Sequence, residues 1–416
     1  MLATATTHYP LSTAGSVIGQ PARTVLKVLG LGGGGSNAVN RMIELGVAGV
    51  EFVAANTDHQ VLKECLATTR IHLGPRLTRG LGAGGHAKVG EQAALESRNE
   101  IAQALKGADM VFLTAGMGGG TGTGAIPVAA EIAKSIGAVT IAIVTTPFSF
   151  EGGRRQQCAR EGIAQLSAHT DTLITVPNDR LLDIVPRNVT LDISFRIADD
   201  VLRQAVQGIA ELITRPGLIN VDFANIRHLM KLKGGALLAI GQGRGANKAM
   251  EAVQQALNSP LIDLGAIDQA AGLLVHFTGG DDLSLHEVSQ ALTLIHQKAN
   301  PAAEIVLGAT NDETLAGRAQ VILVATGVGN TPLEEVIPGA YDFIRQEGHR
   351  PAPAGARLAR ILEAPRLPEE VTEDPSEPYS PIWVVAGASG PSQDDLKIPA
   401  FLRKRRSRGG EVSPMS

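Results

Sequence analysis

The chain has 416 residues, long enough for two packed domains and a tail, and its 44% hydrophobic and 19% charged residues are ordinary for a globular protein. Aromatic residues make up only 3% while glycines number 48, so the interior must be aliphatic and the glycines need a role. A formal net charge of −4 supplies no global field for nucleic acid or an anionic membrane.

Residues 1–22 are small, polar and aperiodic, which predicts a disordered extension. They lack the basic then apolar order of a signal peptide, and no apolar stretch in the chain approaches the roughly 20 residues of a membrane span. Cys65 and Cys158 form neither a CxxC pair nor a zinc spacing. The expectation is a protein of the reducing cytoplasm with no direct membrane span and no nucleic-acid partner. From Thr24, TVLKVLG predicts a buried strand, SNAVNRMIELG a helix stopped by Gly46, and VEFVAANTD a second strand. Further buried strands are predicted at 109–117, 137–146 and 171–179, with helical periodicity between them, an alternation that predicts a parallel, doubly wound α/β sheet.

A single helical pattern then runs from Thr190 to Thr214 and stops at Arg215-Pro216-Gly217. Beyond it, GGALLAIGQG, AGLLVHFTGG, AAEIVLGAT and AQVILVATG predict the strands of a smaller α/β unit ending near Gly329. From about Gly348 the composition turns to Pro, Glu, Ser and Gly, predicting a flexible linker over 348–394, in which Ile382-Trp383-Val384-Val385 is a local apolar exception. The apolar and basic segment from Leu396 to Arg406 follows.

Four glycine-rich or polar loops leave the carboxyl ends of the predicted strands, the edge at which such sheets bind ligands. Gly30-Leu-Gly-Gly-Gly-Gly-Ser-Asn37 joins a strand to a helix N-terminus, where a tight backbone offers free N–H groups to phosphate oxygens. Because Gly30, Gly32 and Gly35 satisfy GxGxxG and Asp58 ends the next strand, this loop alone also fits a dinucleotide site. Gly116-Met-Gly-Gly-Gly-Thr-Gly-Thr-Gly124 is more telling: it forms an anion nest with two hydroxyls, and it is not a P-loop, since no Gly-Lys-Ser/Thr ends it. Asn56-Thr-Asp58 and Gly80-Leu-Gly-Ala-Gly-Gly85 complete a set that suits a triphosphate.

GGGTGTG resembles the tubulin signature loop, and NTD, GLGAGG, TPFSFEGGRR and ITRPGLINVDFA are similar, in order and spacing over about residues 24–330, to segments of the FtsZ family of the tubulin superfamily. The tail segment IPAFLRK resembles the FtsZ tail peptide. The resemblance implies a tubulin-like fold: a Rossmann-like GTP-binding domain over 23–189, a central helix over 190–215, a polymerisation domain over 216–330, and a disordered tail with a docking peptide and basic end over 395–416. It implies GTP and GDP as ligands, with Mg2+, and a head-to-tail filament of the chain with itself at the bacterial division site.

Residue by residue, the resemblance assigns phosphate contacts to Gly33, Gly34 and Asn37, a γ-phosphate loop to Ala83, Gly84 and Gly85, and the signature loop to Gly118, Gly119, Gly120, Thr121, Gly122 and Thr123. Glu151 and Arg155 match the pair that contacts ribose and phosphates, with Thr145 and Pro147 flanking them, and Asn178 matches a ribose-side contact. Phe195 matches the aromatic stacked on guanine, and Asp199 and Asp200 the base-reading positions. Two departures stand out. Asp199 replaces an Asn usual in the family, and in Asn220-Val-Asp222-Phe-Ala-Asn225 the second of two acids that act on the neighbouring subunit's nucleotide has become Asn225. Two outcomes stay open: a polymerisation-activated GTPase of cell division, or a diverged paralogue that assembles but hydrolyses slowly. Leu396–Arg406 is expected to bind membrane-anchor division proteins. An NAD-dependent oxidoreductase would leave GGGTGTG unexplained and lacks a clear catalytic His or Lys constellation.

Overall fold

A computed structural model describes residues 24–182, 190–215, 217–232, 234–259, 261 and 267–328. The expectations for residues 1–22, the linker 348–394, Trp383 and the terminal segment 395–416 lie outside the described residues.

The first half alternates strands and helices: β1 Leu26–Leu31, α1 Gly32–Glu44, β2 Val50–Asn56, α2 His59–Glu64, β3 Thr69–His72, α3 Pro75–Thr78, α4 Ala87–Glu96, α5 Arg98–Leu105, β4 Met110–Gly116, α6 Thr121–Ser135, β5 Val139–Thr146, α7 Gly153–Ser167, β6 Thr172–Pro177 and α8 Asn178–Leu181. Next come α9 Leu191–Thr214, α10 Phe223–Met230, β7 Gly235–Arg244, α11 Lys248–Leu257, β8 Gly272–Gly279, α12 Leu285–Lys298, β9 Glu304–Asn311 and β10 Arg318–Val328. The strands join in the order β3-β2-β1-β4-β5-β6-β7-β10-β8-β9. The first six pair in parallel. Their 3-2-1-4-5-6 order reverses direction between β1 and β4, which opens a crevice at the carboxyl ends of those two strands. β10 pairs antiparallel with β7 and β8, and β8 pairs parallel with β9.

Every residue of β1 and β5 is buried, which explains their unbroken apolar runs: helices cover both faces of the sheet. On one face a core joins Leu29, Leu113 and Val144 to Ala93, Ile101, Ala129 and Ile163 of α4 to α7. On the other, Val28, Phe112 and Ile143 meet Val39 and Met42 of α1 and the apolar stripe of α9. That same core continues into Leu274, Val306, Ile322 and Val324 of β8 to β10, so α9 packs against both halves of the sheet. A third core packs the other face of β7 to β10 against α11 and α12.

Thr190 caps α9 by accepting the Ile193 N–H at 3.4 Å. The ends of this helix lie at opposite edges of the parallel sheet. Near its start, Phe195 meets Phe148, just past the carboxyl end of β5; at its end, Thr214 lies against Gly49, just before β2. At 1.5 Å per residue, its 24 residues span about 36 Å.

Close helix contact also positions the loop of residues 80–86. A Cβ on Gly124 of α6 would lie 1.9 Å from the Ala87 carbonyl oxygen, and one on Gly90 of α4 would lie 2.3 Å from that of Gly120. Gly124→Ala therefore sets a helix-propensity gain of about 1 kcal/mol against an overpacking cost of about 1–3 kcal/mol, and at 1.9 Å from backbone the overpacking prevails. The expected outcome is a lower urea midpoint; an unchanged or higher midpoint would show that the α4–α6 contact relaxes freely.

Candidate functional site

The crevice between β1 and β4 is built from two helix N-termini. α1 begins at Gly32, inside the glycine run, so the expected loop is itself the helix's first turn. Neither α1 nor α6 has a side-chain cap or an acidic residue in its first turn, leaving backbone N–H groups free at both ends. The two ends touch: a Cβ on Gly32, whose φ is +69°, would sit 2.7 Å from the Gly122 nitrogen, and one on Gly34 would sit 3.1 Å from that of Gly116. The loop of residues 80–85 closes the third side, because a Cβ on Gly120 would meet Ala83 Cβ and the His86 nitrogen at 2.9 Å each.

By contrast, a Cβ on Gly33, Gly85 or Gly119 would have nothing within 4 Å, so these three glycines face open space. Glycine is thus required where the loops press together, and its small size leaves room where they face the cradle. The loop order is held by side chains: Thr57 and Thr121 hydroxyls share a hydrogen bond of 2.6 Å, the Gly118 N–H donates to Thr123 Oγ1 at 2.8 Å, and Cys158 Sγ lies 3.7 Å from the Gly119 carbonyl oxygen.

On the β5–β6 side, Glu151 forms an ion pair with Arg155 while its Oε1 accepts the Phe148 N–H at 2.8 Å. Asn178 opens α8 and is buried, with an Oδ1 that has no hydrogen-bond partner. Such an orphaned acceptor costs stability unless a ligand donor, such as a sugar hydroxyl, meets it. Phe148 is buried; Phe150 stacks on it at 5.1 Å and Phe195 meets it edge-on at 5.5 Å. Phe195 stays 40% exposed, which leaves an aromatic surface for a flat ring. The family motifs assign no role to Phe148 or Phe150, although a TPFSF run in a chain this poor in aromatics is a sequence signal for both.

Asp199 lies one turn beyond Phe195. Burial pushes its carboxyl up to about 7; the Arg41 and Arg196 guanidinium groups oppose that shift, and Asp200 adds to it. Since this raised value favours the protonated form in the folded state, ionising Asp199 destabilises the free protein progressively as pH climbs from about 4 through about 7. Asp200 has other partners: Arg203 at 2.7 Å and Gln204 at 2.6 Å, within a series that runs through Gln207 and Glu211 to Arg215.

Gly33, Gly34, Asn37, Ala83–Gly85, Gly118–Thr123, Glu151, Arg155, Asn178, Phe195 and Asp199 therefore belong to elements grouped at the carboxyl edge of the parallel sheet. Asp222 and Asn225 do not. Asp222 caps α10 by accepting the Ala224 N–H at 3.1 Å, both residues are exposed, and the far end of α10 is tied to the amino end of β6 through the Thr172 hydroxyl and the Met230 carbonyl. Among the described residues no cluster of three or more His, Cys, Asp or Glu side chains is arranged to hold a metal, and no helix is long and apolar enough to cross a membrane.

Gly118 tests the cradle. Its φ is +93°, and a Cβ there would lie 2.8 Å from the Arg155 carbonyl oxygen and 3.2 Å from Pro147. Gly118→Ser combines left-handed strain with collision, about 1–3 kcal/mol, so anion-ligand affinity should drop roughly 5- to 150-fold by calorimetry. Unchanged affinity would remove this loop from the site.

Residues 25–186 match the family described as Tubulin/FtsZ family, GTPase domain, and residues 234–329 match the FtsZ family, C-terminal domain. Among solved structures, an empty FtsZ dimer from M. jannaschii shares 48% identity with a TM-score of 0.71, over 74% of this chain and 90% of that one. CetZ2 from Haloferax volcanii, a GTPγS-bound protofilament, is 19% identical with a TM-score of 0.66 over 78% of this chain and 99% of that one, and so matches in fold alone.

Proposed function

Because the chain belongs to the FtsZ family of tubulin-like GTPases, we propose that it binds GTP in the crevice between β1 and β4, polymerises head to tail in bacterial division, and completes hydrolysis with residues of the next subunit. One observation carries this reading: the two ends of α9, about 36 Å apart, lie at opposite edges of the parallel sheet, with Phe195 near the cradle at one end and Asp222 and Asn225 following the other. A second copy, stacked with its far edge on the cradle, would bring Asp222 to the phosphates. The dimer and protofilament forms of the similar structures agree with stacking.

In this assignment the N–H groups of α1, α6 and the 80–85 loop hold the phosphates, Asn178 and the Glu151–Arg155 pair orient the sugar side, and Phe195 stacks on the base. Mg2+, when bound, would neutralise phosphate charge. Asp222 orients and polarises the attacking water of the neighbouring site. One of its oxygens already caps α10, which fixes the carboxylate in place. Asn225 keeps the size of a carboxylate and accepts a hydrogen bond through its amide oxygen, but it takes no proton.

Hydrolysis should accordingly be slow for the family while assembly is retained. A positioned general base contributes about 10²–10⁴-fold, so Asn225→Asp should raise GTP turnover per assembled subunit within or below that range and shorten filament lifetime. Asp222→Asn, which keeps the helix cap that Asp222→Ala would lose, should remove the remaining turnover. Equal turnover of the native chain and Asn225→Asp in sedimented filaments would discard the slow-hydrolysis reading; turnover independent of protein concentration would discard the shared site.

The terminal segment Leu396–Arg406 fits a docking peptide for a membrane-anchor division protein: Ile398, Phe401 and Leu402 supply apolar anchors, and Arg403–Arg406 supply positive charge. Truncation after residue 394 should leave assembly intact and abolish co-sedimentation with the anchor. Lost assembly would contradict the tether.

A further inference from the structure

One face of α7 lies along the loop of residues 118–123. Gly162, Cys158 and Arg154 recur there every four residues. A Cβ on Gly162 would meet Thr123 Cγ2 at 2.3 Å, Cys158 Sγ lies 3.7 Å from the Gly119 carbonyl oxygen, and Arg154, one turn nearer the open end, reaches across to His86. Its Nη2 donates to His86 Nδ1 at 3.4 Å. Arginine has no acceptor, so this imidazole is neutral and carries its proton on Nε2. His86 in turn ends the loop that closes the cradle: its backbone nitrogen and the Gly85 carbonyl carbon lie 2.9 and 3.1 Å from where a Cβ on Gly120 would be. The neighbouring arginine is placed differently. Arg155 is turned about 100° around α7 and is ion-paired with Glu151, which neutralises it. Among the described residues no carboxylate pairs with Arg154 or with His86, and the first turns of α4, α6 and α7 hold no acid. Arg154 thus brings an uncompensated positive charge to the end of the cradle formed by Gly85 and Gly120.

We propose that Arg154 donates to the terminal phosphate of the triphosphate and so distinguishes GTP from GDP, with His86 as the positioning residue that holds its guanidinium beside the 80–86 loop. The inference rests on the proposed guanine-nucleotide site, and it gives the discriminating charge to a residue that the motif comparison passes over in favour of Arg155. His86 occupies one N–H of the guanidinium and leaves the rest of the planar fork for phosphate oxygens. A long, exposed arginine loses rotamer freedom when it engages a ligand, and the contact with His86 removes part of that freedom beforehand. GDP ends one phosphate deeper in the cradle, where the backbone N–H groups of α1 and α6 meet it, so the charge on Arg154 acts mainly on the triphosphate.

The test uses the full chain below its assembly concentration, with GTPγS and GDP as probes in equilibrium titrations and a melting curve to show that each variant is folded. Arg154→Ala should weaken GTPγS about 10-fold, the loss of one charge-assisted hydrogen bond, and GDP less than about 2-fold; Arg154→Lys should recover part of the difference. Arg155→Ala should weaken the two alike. His86→Ala should weaken GTPγS about 3-fold in the native background and have no effect on top of Arg154→Ala, a coupling that a merely structural role for His86 would not produce. An unchanged GTPγS/GDP ratio in Arg154→Ala, whether both affinities are kept or both fall, would overturn the assignment of Arg154. A His86→Ala loss that persists in the double variant would overturn the positioning role. Should the native chain bind GTPγS and GDP equally, the phosphate cradle stands and discrimination by Arg154 falls. If it binds neither, the nucleotide-site reading itself fails, and this inference with it.

Discussion

Two backbone segments approach closer at this site than any side chain permits. The first turns of α1 and α6 meet at Gly32 and Gly122 so tightly that a Cβ would lie within 2.7 Å of a backbone nitrogen, and the 80–85 loop presses on Gly120 in the same way. That approach concentrates unpaired N–H groups on a small space, with nothing in the first turns to neutralise them. Such an arrangement is unfavourable in a free protein and favourable around an anion. The tight α4–α6 packing, the Thr57–Thr121 and Gly118–Thr123 hydrogen bonds and the burial of both helices all serve to maintain it.

The second constraint is a length. α9 contributes Val201, Leu202, Val206 and Ile209 to a core that also holds Val28 and Phe112 of the parallel half of the sheet and Leu274 and Val324 of β8 and β10. A helix buried along so much of its length acts as a rigid strut. Its start belongs to the aromatic cluster at the cradle, and its end leads to the exposed cap of α10. A cradle rich in donors and the exposed Asp222 thus lie toward opposite ends of this strut, the separation on which the proposed sharing of a site between subunits rests.

The parallel pairing of the strands, the long helix and the glycine-rich or polar loops at the strand ends were legible in the sequence because each rests on a local rule: apolar runs for strands buried on both faces, a 3.6-residue period for α9, and glycines at strand ends. Other features were not legible because they depend on distant residues. That α1 begins within its glycines, and not after them, follows from packing against the Gly116–Gly122 loop, which lies some eighty residues on. The short strand β3 is paired on one side only and carries a single buried apolar residue, Ile71, so its pattern is too weak to read. Asp199 and Asp200 are both acidic neighbours in sequence; only the side-chain series from Asp200 through Arg203 to Glu211 separates their surroundings.

Asp199 and Asn225, the two positions at which the motif reading departs from the pattern it resembles, lie toward the start of α9 and beyond its end. On the proposed head-to-tail stacking, the far edge of one subunit meets the cradle edge of the next, so both changes fall at the same junction. The acid at 225 would act on the triphosphate, where its loss removes both basicity and a repulsive charge. The acid at 199 lies on the base side, where a negative charge is useful only when the ring supplies two donors. On that proposal the junction would present Asp199 on the base side and Asn225 on the phosphate side, an arrangement that would favour a subunit that holds its nucleotide over one that turns it over quickly.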